Sequence, residues 1–192
     1  MGILLGFAPF IVFALLTSVS VSLGIWLAFA AAFVITIRDF VESPTLRLLD
    51  AGSVALFGLL ALYTGFIEPS LSLPLVRLAV AAGFLLLALV SILILQPITL
   101  PYSHEHVPEA LWNTKSFRRA NYVLTAAWAL AFAVTGAFDI AAALYREISV
   151  SLDISAGLAA LGLVIAFTVR YPAAVSRANG HAVHGGQGAS SR

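Results

Sequence analysis

The first 37 residues contain no charged side chain. As one helix they would reach about 55 Å at about 1.5 Å per residue, nearly twice the roughly 30 Å of a bilayer's hydrocarbon core. A single straight span is therefore excluded. The cluster Thr17, Ser18, Ser20, Ser22 and Gly24 is the natural place for a break. We read a short first segment over 3–16, which crosses fully or stays re-entrant or interfacial, and a second helix over 22–37. Pro9 is tolerated in a membrane helix whose neighbours satisfy the freed carbonyl.

Composition demands lipid around the rest of the chain as well. Of the 192 residues, 61% are hydrophobic and 10% charged, against roughly 45–50% and about 25% in soluble domains. A globule of this size has no interior large enough for that much apolar surface. A net charge of +1, with basic residues scattered singly or in pairs, argues against a nucleic-acid partner. No cysteine is present, which removes disulfides, thiol catalysis and Cys-ligated metal. MGILLG lacks the basic stretch of a cleavable signal, although Ala28-Phe29-Ala30 imitates a cleavage site. It also has Gly6 where myristoylation wants Ser or Thr, so the first segment is expected to be retained.

Further spans are expected at 48–67, 76–96, 122–145 and 154–169. These long apolar runs do not alternate, which favours helices over barrel strands. The fold class is all-α: a polytopic helical transmembrane bundle with five full spans plus the short N-terminal segment, six if that segment crosses. It occupies 1–170 and includes a loop at 97–121; from 171 to 192, Gly, Ser, Ala and His suggest a disordered tail.

Lys and Arg fall unevenly between the two sets of connections. Arg38, Arg47, Lys115, Arg118, Arg119, Arg170, Arg177 and Arg192 lie on one side, and Arg77 and Arg146 on the other. The basic side should be cytoplasmic, which places the 97–121 loop and the C-terminus inside.

That loop is the most informative stretch. Pro108 and Glu109 suit the first turn of a short helix, with Leu111 and Trp112 as its apolar side and Ser116 as N-cap of the next span. Arg118 and Arg119 would sit at the headgroups of anionic lipid, with Trp112, Phe117 and Tyr122 as an aromatic belt. Its functional alternative is a partner-docking surface made by Trp112, Phe117, Arg118, Arg119 and Asn121. His104-Glu105-His106, with His181 and His184, invites a metal site. Two or three ligands without fixed geometry fall short of one, so we expect solvated histidines and no metal or cofactor.

Ionisable groups in spans mark function or pairing. Asp50 lies three residues after Arg47 on a shared helix face. Asp139 falls about five turns beyond Asn121, near Arg146 and Glu147, and both acids are expected to pair near the interfaces. The alternative makes Asp50 and Asp139 an ion path. Ala129, Ala133 and Ala137, with Ala156 and Ala160, offer sites for close helix packing within or between chains.

Phe7, Pro9 and Phe13 form an F-x-P-x-x-x-F pattern. The uncharged helix ending at Arg38 follows, and then Leu56-Phe57-Gly58. Pro97, Pro108-x-x-x-Trp112, a basic pair before Asn121 and Trp128-x-x-x-Phe132 complete the set. Together they resemble the bacterial intracellular septation protein A family of inner-membrane proteins, over most of residues 3–172. Extra residues at 113–117, the histidine stretch and the Gly/Ser tail depart from that pattern. The resemblance implies a role in septation or envelope synthesis through contacts with other membrane proteins, and it carries no catalytic residue.

A non-enzymatic inner-membrane contact protein is thus the first expectation. Its partners would be lipids and envelope or division proteins, with a homo-oligomer as a further option. A small secondary transporter or channel is the second, and a metal-dependent enzyme the last. Cysteine labelling should place Lys115→Cys and the C-terminus in the cytoplasm; labelling of position 115 from the periplasm would reverse the orientation.

Overall fold

Apolar runs too long for a soluble core become helices, because in lipid each backbone N–H and C=O needs a partner within its own segment. The computed structural model describes residues 2–42, 47–104, 107–145 and 149–187, with side chains described except at 2, 3, 150 and 172–187. In order these are α1 (Gly2–Gly6), α2 (Ala8–Leu16), α3 (Val21–Glu42) and α4 (Leu48–Leu62), which continues into a π-helical turn at Tyr63–Ile67. Then come α5 (Leu73–Leu93), α6 (Leu100–His104), a 3-10 turn at Glu109–Leu111, α7 (Lys115–Leu144) and α8 (Val150–Gln187). Among the described residues the chain is an all-α bundle. Five helical stretches are long and apolar enough to cross a membrane: Val21–Glu42, Leu48–Ile67, Leu73–Leu93, Lys115–Leu144 and Ser151–Tyr171.

Local chemistry sets several of the boundaries. Pro74 sits in the first turn of α5, where a missing N–H costs nothing. That helix ends with Leu95 at φ 60°, and the N–H of Gln96 returns to the carbonyl of Ser91 at 2.9 Å. This is the left-handed helix stop usually built with glycine. The Ser91 hydroxyl then accepts the N–H of Ile98 at 3.2 Å, which folds the chain back after Pro97. The cap of α7 is Thr114, whose hydroxyl accepts the N–H of Phe117 at 3.3 Å. Ser116, expected as the cap, is instead inside the first turn, because the helix begins two residues earlier than that cap implies, at Lys115. At the other end of the chain, helical backbone continues through Pro172 to Gln187.

The core is aromatic. Phe7 stacks on Trp128 with centroids 3.7 Å apart and planes 8° from parallel. Phe10 meets Phe132 edge-on at 5.0 Å, and Phe84 stacks on Phe132 at 5.2 Å. Phe13 reaches Phe57 at 5.6 Å. The short N-terminal segment thus supplies three of these rings. It also runs the length of the interior: Gly6 lies against the Tyr102 ring, while Thr17 lines a cavity beside Arg77 near the opposite end. Those two residues are about 16 Å apart along a helix. Turning at 17–20, the chain returns as α3, and Gly24 packs on Thr17.

The outer faces are apolar as lipid requires. Trp26, Phe33, Val34 and Ile37 of α3, Leu86 and Leu93 of α5, and Leu163 of α8 are all exposed. The packed face of α7 is Asn121, Leu124, Thr125, Trp128, Ala129, Phe132, Thr135, Gly136 and Asp139. Of the expected alanine row, Ala129 is buried in this face while Ala133 and Ala137 lie on the exposed side, so the row does not run as one seam inside this chain. The bulkier Trp128 and Phe132 take that part instead.

Phe7 is fully buried, and its truncation leaves a void that Trp128 alone cannot close. Phe7→Ala should cost about 3–5 kcal/mol, read as a lowered unfolding midpoint in micelles. A midpoint equal to wild type would show that the N-terminal segment does not pack in the core.

Candidate functional site

Buried polar side chains gather in two layers, one at each end of the bundle. The first lies where the 97–121 loop meets the helices. Asp50, in the first turn of α4, accepts the hydroxyl of Tyr102 at 2.5 Å. Both are almost wholly enclosed. Arg47 stands over the Tyr102 ring at 4.8 Å and donates to Asp39 of α3 at 3.0 Å. Asp39 also accepts Arg38 at 2.6 Å. Burial, and then the Asp50 carboxylate, hold the Tyr102 phenol protonated far above its usual range. Asp50 therefore joins the loop to the bundle through Tyr102.

The loop has its own polar floor. The Thr99 hydroxyl lies 3.0 Å from the carbonyl oxygen of Asn121, 3.1 Å from its side-chain oxygen and 3.1 Å from the Thr125 hydroxyl. Ser103 donates to the Asn121 side chain at 2.7 Å, and Asn121 donates to the carbonyl of Phe117 at 3.0 Å. At 1% exposure, Asn121 is no contact residue: it is the hub that closes the loop on α7. Above it, His104 stacks on Trp112 at 4.2 Å and on Phe117 at 5.6 Å. The Trp112 indole donates to the carbonyl of Val107 at 2.8 Å. Desolvation in this stack pulls His104, which is half-buried, below the ordinary histidine range. Lys115, Arg118, Arg119 and Leu111 face outward.

The second layer lies at the opposite end. Arg77, one turn into α5, is buried against α7 and α8. Its Nε donates to Asp139 at 3.0 Å and lies 3.5 Å from an Asp153 oxygen. Its Nη2 donates to the Asp153 backbone carbonyl at 3.3 Å. Gly157 follows Asp153 by one turn, and a Cβ there would lie 2.6 Å from Nη2, so glycine leaves room for the guanidinium. A cavity of about 20 Å³ adjoins it, lined also by Thr17 and Thr135, enough for about one water.

Sequence reasoning placed Arg77 among the loop cations and expected Asp139 to pair near the interface, with Arg146 and Glu147 nearby; the structure encloses Arg77 and Asp139 in one ion pair. Asp153 and Gly157 were missed, though an acid and a glycine four apart share a helix face. Asp50 and Asp139 are not brought together. Asp50 precedes Phe57 by about 10 Å of helix and Asp139 follows Trp128 by about 16 Å, so the aromatic layer separates them. Glu105, His106, Arg146 and Glu147 lie outside the described residues, as do the side chains of His181 and His184. Among the described residues no three His, Cys, Asp or Glu side chains cluster as a metal site would need. No protein-family model, curated protein or solved structure matches the chain.

Removing the Tyr102 hydroxyl leaves the buried Asp50 oxygen without its partner, a change of about 1–3 kcal/mol. Tyr102→Phe should raise amide hydrogen exchange across 97–104 while leaving α7 protected. Unchanged exchange in that segment would show that the Tyr102–Asp50 bond does not hold the loop.

Proposed function

We propose that this chain is a non-enzymatic protein of the bacterial inner membrane, similar in role to septation and envelope factors, acting by contacts with other membrane proteins. The supporting observation is the loop's construction. Its buried network and aromatic stack hold a segment in which Leu111, 49% exposed, and Lys115, Arg118 and Arg119 all face outward. An exposed apolar side chain in a segment with three outward cations suits an acidic partner segment or anionic headgroups. The positive-inside bias puts this surface in the cytoplasm. Trp112, Phe117 and Asn121 support that surface from beneath, and Arg118 and Arg119 are its contacting members. Ala133 and Ala137 remain available for contact between copies.

Transport is the second reading, and the two buried acids are what favour it. Against it stands the ring-filled layer between them, which offers no polar relay. Each Lys or Arg near an anionic surface contributes about 1 kcal/mol, so Arg118→Glu with Arg119→Glu should weaken partner or membrane association at least about thirtyfold. Complementation of a strain lacking the protein should fail with that pair and survive Asp139→Asn, at equal membrane abundance. The reverse order would replace the contact role with transport.

A further inference from the structure

We propose that Arg77, Asp139 and Asp153 form a binding site for one exchangeable proton, shared between the two carboxyl groups. One guanidinium faces two carboxylates, each fully buried. With both ionised, the site would carry a net negative charge in surroundings that solvate it poorly, at a cost of several kcal/mol per ion. Oδ2 of Asp139 and both carboxylate oxygens of Asp153 have no hydrogen-bond donor. Three acceptors without a donor are the signature of a missing hydrogen. The two carboxyls face the same Nε of Arg77, at 3.0 Å and 3.5 Å. A proton on one of them supplies that donor and cancels the excess charge together.

A proton fits better than a metal cation. Sodium, like other hard cations, wants five or six oxygens. Beside Arg77 the walls are mostly carbon, from Phe10, Phe13, Ile154 and Leu158, with Thr17 and Thr135 as the hydroxyl residues. From the N-terminal segment the polar side chain that lines the cavity is Thr17; Arg77 and Asp153 are the charged groups acting on Asp139 from α5 and α8 among the described residues. The water-sized cavity adjoins Arg77 and Gly157 at this end. Trp128, Phe132 and Phe84 close the way toward the other polar layer.

The test is infrared spectroscopy of the full chain in lipid, reading the carbonyl stretch of a protonated carboxyl. Near neutral pH the wild type should show that band, shifted by heavy water and lost on alkalinisation, and Asp50→Asn should retain it. Asp139→Asn and Asp153→Asn should each abolish it, since either leaves one carboxylate paired with Arg77. Exchange of sodium for potassium should leave it unchanged. A missing band, a band that survives either substitution, or one that sodium displaces would overturn the proposal. Should either of these Asn variants fail to fold, Asp50→Asn protein labelled with ¹³C-aspartate removes the other buried acid outside an Arg pair: a protonated signal titrating as one proton supports the site, and its absence overturns it.

Discussion

A guanidinium at 7% exposure inside a helix bundle must find its counter-charge within the chain, because neither lipid nor water can supply it at that depth. For Arg77 the supply comes from Asp139 near the end of α7 and Asp153 in the first turn of α8. That requirement brings three helices together at one end of the bundle. It also explains why Gly157 has no side chain to obstruct the guanidinium and why Thr17 of the N-terminal segment ends beside it. Removing one partner of such a buried set typically costs about 3–5 kcal/mol, whereas replacing the whole set with apolar groups costs little. The arrangement therefore serves geometry or proton binding more than net stability.

The opposite end adds hydrogen bonds to neutral groups to the ion pairs of Asp39 with Arg38 and Arg47. Asn121, Thr99, Ser103 and Thr125 satisfy one another, and Tyr102 satisfies Asp50. Because these partners come from both the loop and the helices, the loop is part of the fold rather than a tether between two spans. Its aromatic residues are consumed in holding it. What faces outward is a cationic surface with one apolar side chain, which is the basis for the contact role.

Between the two layers lies a zone where polar groups are few and rings interlock. Phe7, Phe10 and Phe13 come from a segment too short to rank with the five long spans, yet they complete the interior around Trp128. An apolar layer of this kind separates the two ends electrically. A proton bound at Arg77 can influence α5, α7 and α8 by changing how tightly they are held, without passing through the bundle.

The sequence by itself determined the class of fold. Hydrophobic runs of span length leave helices in lipid as their solution, and their limits follow from proline, charge and polar breaks that act within a few residues. The break at 17–24 was legible for that reason, as was the order of the five spans. Its distribution of Lys and Arg is the basis of the proposed orientation, since that rule depends on counting and not on contacts. Which side chains meet was decided by tertiary structure. Arg77 read as a loop cation because nothing local shows that its helix turns it toward Asp139, 62 residues away. Asn121 and Trp112 read as surface because their partners, Thr99 and His104, come from the far side of the loop. The alanine row on α7 read as a seam because spacing alone cannot say which face of a uniformly apolar helix is inside. In water, polarity would distinguish the two faces; in lipid both are apolar, and only packing tells them apart.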